Sequence, residues 1–322
     1  RLFERRAVAT ELIAGLCIVA YVLEFLVGAV SLGEFLGGAP GPLVELGANV
    51  ALLVKGGEWH RLVTSTFLHG GHIHIGLNVL ALVALGGLLE RVLGAYRLTL
   101  IYLASALAGA VGTTWVTEAW LSVGASGAVF GLLGSLGALQ YRFGSRLPVG
   151  FGQTRNWWLF IVVLNGVLSL VPQIDMFAHV GGFVMGATLT LILARRPEHL
   201  QVIRGTPWKV KAATMALMGF FAAAIATGIG HYDERQSGRK ILIQALSEAA
   251  SPDPDLVNLI AWEIVTDPEA EALELKAVVR DLATVLKDHA DKDDARDTLA
   301  TAHHRLAQRQ QAVTEELKVF EK

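Results

Sequence analysis

The chain has 322 residues, of which 53% are hydrophobic and only 17% charged, against about 25% charged in a soluble domain. Its charge divides unevenly: residues 1–230 hold 15 Lys and Arg against 10 Asp and Glu, net +5, whereas residues 231–322 hold 12 against 19, net −7. A single cysteine, Cys17, excludes an intrachain disulfide scaffold, and the lack of a basic stripe argues against nucleic acid as a partner.

A helix needs about 20 largely apolar residues to cross the hydrocarbon core of a bilayer. Seven such runs precede residue 231, at roughly 9–32, 74–93, 97–117, 124–141, 157–173, 176–194 and 209–230. The segment between the first two, residues 33–58, is apolar for a loop. It is expected either in the membrane interface or packed on the helices. Thirteen Lys and Arg fall before the first span and at the junctions of spans two and three, four and five, and six and seven; the opposite loops hold only Lys55 and Arg61. Cytoplasmic loops carry the excess of basic residues, so the N-terminus is expected in the cytoplasm and, with seven spans, the tail from His231 on the outer face. No cleavable signal peptide is expected, since the first run is long enough to stay in the membrane. The expected architecture is all-α: a membrane helix bundle over residues 1–200, a seventh span in 201–230, and a small soluble helical domain over 231–322.

That last domain shows apolar-periodic stretches opening at Leu256 and at Asp297, about 40 residues apart. They are similar to helices of tetratricopeptide repeats, which bind protein partners; the plainer alternative is a helical hairpin that caps the rest. His303 and His304 are adjacent and so point different ways on a helix, and no other metal-ligand spacing is visible. No metal and no cofactor are expected.

Strongly polar residues inside spans are costly and mark function. Three clusters stand at one expected depth, each entering a span from outside: Thr66 to Asn78, Val123 to Gly131, and Met176 to Gly186. His74 and Asn78 share a helix face, as do Ser126 and Phe130. Gly127, Gly131 and Gly134 leave spans four bare on one side, and Gly182 and Gly186 do the same on span six. Small residues at this spacing let helices approach backbone to backbone. Such an approach would put Ser126 within reach of His179, a nucleophile and a base, with His74 and Asn78 as donors for an oxyanion. Ser122, Gln173 and Asp175 are expected to wet the mouth of this site. Two other classes are open to these residues: a protein that binds membrane segments without cutting them, and a transporter or channel relaying protons through intramembrane histidines. Retention of both Ser126 and His179 argues against the first. For the second, Glu11 and Glu24 in span one are the main hints, and interfacial placement explains them equally.

At these residues the chain resembles the rhomboid intramembrane serine proteases. The family's HxxxxHxxxN pattern matches His69, His74 and Asn78; its GxSG matches Gly124, Ala125, Ser126 and Gly127; its AHxxGxxxG matches Ala178, His179, Gly182 and Gly186. Trp59-His60-Arg61 and Leu89-Glu90-Arg91-Val92-Leu93-Gly94 add to the resemblance, which covers residues 9–194. It implies a six-helix rhomboid core, of the bacterial plasma-membrane type with an extra C-terminal span, and transmembrane proteins as substrates. It also implies a Ser126–His179 dyad, an oxyanion hole from the Ser126 N–H, His74 and Asn78, and supporting roles for His69, Gly124, Gly127 and Phe130. The family often has Tyr where Phe130 stands, and usually Trp where His60 stands. His72 matches no family position and is expected at the surface or interface. Cleavage is expected at a small residue in or beside a substrate's transmembrane segment, near the outer face.

Overall fold

The structure, a computed structural model, describes residues 6–26, 40–116, 121–144, 147, 174–195, 205–231, 254–266, 272–288 and 295–307. The chain forms two units, Arg1–Asp233 and Glu234–Lys322. Among the described residues the secondary structure is helical, apart from one isolated bridge between Asn49 and Ser122.

In the first unit the helices are α1 (Val8–Leu26), the short α2 (Pro40–Glu45), α3 (Ala51–Lys55) and α4 (Arg61–Thr64), then α5 (His72–Leu93), α6 (Ala95–Val116), α7 (Ser126–Phe143), α8 (Met176–Leu193) and α9 (Trp208–His231). Five stretches are long and apolar enough to cross a membrane: α1, α5, α6, α8 and Trp208–Gly230 of α9. The expected fifth span, 157–173, lies outside the described residues. The expected fourth span is α7, which does not reach the same apolarity. Its last turn carries Gln140, Tyr141 and Arg142, which lower the average, while 12 of its 18 residues are buried, including Gly127, Gly131, Gly134 and Ser135. A helix enclosed by other helices is not selected for contact with lipid, so it can spend its surface on glycine and serine.

Glycine sets how closely the central helices pack. A Cβ on Gly182 of α8 would overlap the Gly127 carbonyl of α7, and one on Gly186 would overlap the Gly131 carbonyl. On the α6 side, a Cβ on Gly109 would lie 2.7 Å from the Ala178 carbonyl oxygen, and one on Gly181 would lie 2.7 Å from that of Ala108. Three backbones therefore meet along α6, α7 and α8, and the side chains flanking these contacts are held by backbone.

Buried acids fix the helix ends. The Glu90 carboxylate accepts hydrogen bonds from the Ala9 N–H (3.0 Å), the Thr10 N–H (2.8 Å) and the Thr10 hydroxyl (2.7 Å). It caps the first turn of α1 from another helix, where the helix dipole favours negative charge. Glu24 is fully buried and accepts the His69 N–H at 3.0 and 3.1 Å. Glu24 is thus tied to another segment near the end of α1, while Glu11 is exposed and paired with Arg6 at 2.7 Å. Arg61, also buried, donates to Glu58 (2.8 Å) and to the Val44 (2.6 Å) and Ala48 (3.1 Å) carbonyls, closing the loop after α2. Trp59 stacks on Phe220 of α9, ring centroids 5.5 Å apart.

In the second unit the described helices are α10 (Pro254–Thr266), α11 (Ala272–Asp288) and α12 (295–307). Buried positions recur at helical spacing: Val257, Ala261 and Ile264; Leu275, Val278 and Leu282; Ala295, Thr298 and Ala302. Arg305 donates to the Val265 carbonyl at 2.7 Å, placing a cation at the C-terminal end of α10. The two outer helices fall on the apolar-periodic stretches noted above, and α11 lies between them.

Candidate active site

Ser126 is the first residue of α7. The preceding residue, Ala125, has no side chain that can cap the helix, so the orphan N–H groups of its first turn are not satisfied by a cap. The approach to Ser126 is nevertheless tightly specified. Ser122 pairs with Asn49 through N–H to carbonyl bonds of 2.8 and 3.0 Å, and the Gly124 N–H donates to the Ser65 carbonyl at 2.9 Å. Asn49 is itself buried and bonded to the Ala110 carbonyl (3.1 Å) and the Thr114 hydroxyl (3.0 Å) of α6.

Gly124 has φ +133°, a backbone conformation that side chains avoid. The space a side chain would take there is bounded by the site itself. A Cβ on Gly124 would sit 2.8 Å from His74 Nε2 and 3.7 Å from Ser126 Oγ. His74 and Ser126 therefore face one bare point on the Gly124 backbone. The His74 Nδ1 accepts the Gly70 N–H at 3.3 Å, which assigns the proton of the neutral ring to Nε2, the nitrogen on the Gly124 side. Asn78, one turn on, is buried and donates its amide to the His74 carbonyl at 3.0 Å. Its NH2 group has a second hydrogen.

His179 enters from α8. It is buried, and its ring lies flat on Phe130, centroids 3.9 Å apart with 8° between planes. Phe130 is one turn beyond Ser126 on α7. Ala178 lies beside Gly127: a Cβ on Gly127 would be 3.3 Å from the Ala178 carbonyl oxygen. Ser126 and His179 are thus the chain neighbours of two residues in backbone contact. A shallow cavity opens here, lined by Ser65, Thr66, Ala106, Val123, Gly124, Gly127 and Ala178 among others.

His69 is fully buried behind this group, its ring edge-on to His74 at 5.2 Å and its Nδ1 3.0 Å from the Phe67 carbonyl. Burial, with a smaller contribution from His74, pushes its imidazole down to about 3. His72 is half-buried and bonded to the Tyr21 hydroxyl of α1 at 2.6 Å, a helix-to-helix contact. Ser122 and Asp175 are bonded to each other at 2.6 Å, so they tie segments together; Gln173 lies outside the described residues. The sequence signal for Asp175 is its place immediately before the apolar run that carries His179, where an acid caps a helix. Among the described residues no cluster of His, Cys, Asp and Glu could hold a metal ion.

The Rhomboid domain family model matches residues 56–196. RHOMBOID-like protein 7 of Arabidopsis thaliana is 30% identical over 223 residues, 65% of this chain and 69% of the relative. The chain belongs to the rhomboid family. Rhomboid-type serine protease 2 of Emericella nidulans is 36% identical over 151 residues, 45% of this chain and 29% of the relative. Rhomboid protease GluP of Bacillus subtilis is 38% identical over 146 residues, 45% of this chain and 28% of the relative. Of several matched relatives the chain spans less than two thirds, between 28% and 60%. As a member of this family with five long apolar helices, it is a multi-pass membrane protein.

Proposed function

We propose that this rhomboid is an intramembrane serine endopeptidase that cuts transmembrane-segment substrates near the outer membrane face, with Ser126 as nucleophile and His179 as general base. The observation that carries this reading is the shared point over Gly124, bounded by Ser126 Oγ and His74 Nε2. A substrate carbonyl seated there meets a nucleophile on one side and an N–H donor on the other. Ser126 Oγ adds to the carbonyl carbon as its proton passes to His179. The oxyanion is held by the Ser126 N–H at the start of α7, by His74 Nε2–H and by the Asn78 amide. The proton then moves from His179 to the leaving amine, and water, deprotonated by His179, releases the acyl group and restores Ser126. This is triad logic without the acid, with Phe130 holding the base by stacking.

A transmembrane substrate shields its carbonyls in helical hydrogen bonds, so the cut must fall where the substrate unwinds. The cavity walls of Gly124, Gly127, Ala106 and Ala178 favour a small residue at the cut. The basic residues clustered on one set of loops support a cytoplasmic N-terminus, with the site and the tail toward the outer face; the bacterial plasma membrane is the location the family resemblance suggests. The tail's amphipathic helices support a role in holding a protein partner. The test is cleavage of a model transmembrane substrate by the purified chain in liposomes, beside Ser126→Ala and His179→Ala. Cleavage by the parent alone supports the dyad; equal cleavage by all three defeats it.

A further inference from the structure

Asp175 joins three segments that meet at the site. Its Oδ2 accepts the Thr113 hydroxyl (2.5 Å) near the end of α6 and the Ser122 hydroxyl (2.6 Å) in the approach to Ser126. Its Oδ1 accepts the Ala178 N–H (2.9 Å), capping the helix that carries His179. Its own carbonyl accepts the His179 N–H at 3.2 Å. One carboxylate therefore holds the chain four residues before Ser126 and the first turn bearing His179.

We propose that Asp175 is a positioning residue that sets the start of α8, and so His179, against Ser126; this rests on the protease reading above. A cap alone needs one oxygen, and any of several residues would supply it. The second oxygen, bonded to two hydroxyls from different segments, fixes where the capped helix stands. A misplacement of about 1 Å in a catalytic pair costs on the order of a hundredfold in rate.

The test separates cap from position. Asp175→Asn keeps an oxygen for the Ala178 N–H and replaces the other with an NH2 group that cannot accept from either hydroxyl. Cleavage kinetics and thermal unfolding are measured in liposomes or detergent for the parent, Asp175→Asn, Thr113→Val/Ser122→Ala, the combination of all three, and Ser126→Ala. The expected result is a kcat at least about tenfold lower for Asp175→Asn with KM within about twofold, since the loss falls on the transition state. The Thr113→Val/Ser122→Ala variant shows a similar loss, and adding Asp175→Asn to it costs little more. Melting of Asp175→Asn stays within a few degrees of the parent. A parental kcat in Asp175→Asn, with Ser126-dependent cleavage intact, overturns the positioning role alone. So does a fully additive loss in the combination, or a fall in kcat matched by collapse of the melting transition. A parent that does not cut, or a Ser126→Ala variant that cuts equally, overturns the protease reading and this proposal with it.

Discussion

The His179 imidazole lies on the Phe130 ring with centroids 3.9 Å apart and planes 8° from parallel. Stacking of this kind is worth about 0.5–1.5 kcal/mol beyond burial, and it constrains the plane of the imidazole. Phe130→Ala is expected to lower kcat by roughly tenfold, since about 1.4 kcal/mol corresponds to tenfold in rate. Phe130→Tyr keeps the ring and is expected to stay within about threefold of the parent. Steady-state cleavage of one transmembrane substrate by both variants checks this; equal loss in both would mean that the stack does not hold the base.

The backbone contacts between α7 and α8 make a sharper prediction. A methyl on Gly182 or Gly186 meets a carbonyl oxygen of α7, and backbone cannot rotate away as a side chain can. The helices must part, carrying His179 away from Ser126. Gly182→Ala and Gly186→Ala are each expected to cost about 1–3 kcal/mol of stability and on the order of a hundredfold in kcat. Gly219→Ala on α9, where a Cβ meets nothing within 4 Å, is the control and should behave as the parent. Thermal melting with cleavage rates reads both effects, and an unaffected Gly186→Ala would show that α7 and α8 do not pack this closely.

These glycines, and Ser126, His74, Asn78 and His179 with them, were legible in the sequence because each breaks an apolar run at helical spacing. What the pattern could not show was partnership across distance. Glu24 reads as an interfacial acid because its bond is to the backbone N–H of His69, and a backbone partner leaves no mark in the sequence. Glu90 caps a helix through Thr10, 80 residues earlier. Asp175 reads as a polar residue at a wet mouth because its two hydroxyl partners lie 62 and 53 residues away. The place of α7 at the centre was hidden for a different reason. Hydropathy reports how apolar a helix is, and it does not report whether lipid or protein covers it.

Gly124 offers a direct probe of the point where the substrate carbonyl is proposed to sit. Gly124→Ala is strained, at about 1–3 kcal/mol for the φ of +133°, and its methyl would stand 2.8 Å from His74 Nε2. Reaction of Ser126 with a fluorophosphonate should fall by at least about a hundredfold, because the phosphonyl oxygen needs the same space. Labelling followed by intact-mass measurement gives the rate. Labelling at the parental rate by a folded Gly124→Ala would place the oxyanion elsewhere.

His69 gives the pH dependence. Its imidazole is held neutral by burial, at about 3 in the folded chain against an ordinary 6.5. The unfolded chain therefore binds a proton at His69 below pH 6.5 that the folded chain refuses. The contribution of this group to stability is fully present above 6.5 and is lost as the pH falls from 6.5 toward 3, at up to about 1.4 kcal/mol per pH unit. Between pH 7 and pH 5 the loss from His69 alone is about 2 kcal/mol. His69→Gln removes the titration and keeps a polar side chain beside Phe67. Denaturant unfolding in detergent at pH 7 and pH 5 should show a smaller acid loss for His69→Gln than for the parent, by about that amount. Equal losses would mean that His69 reaches water in the folded chain, and would remove it from behind His74.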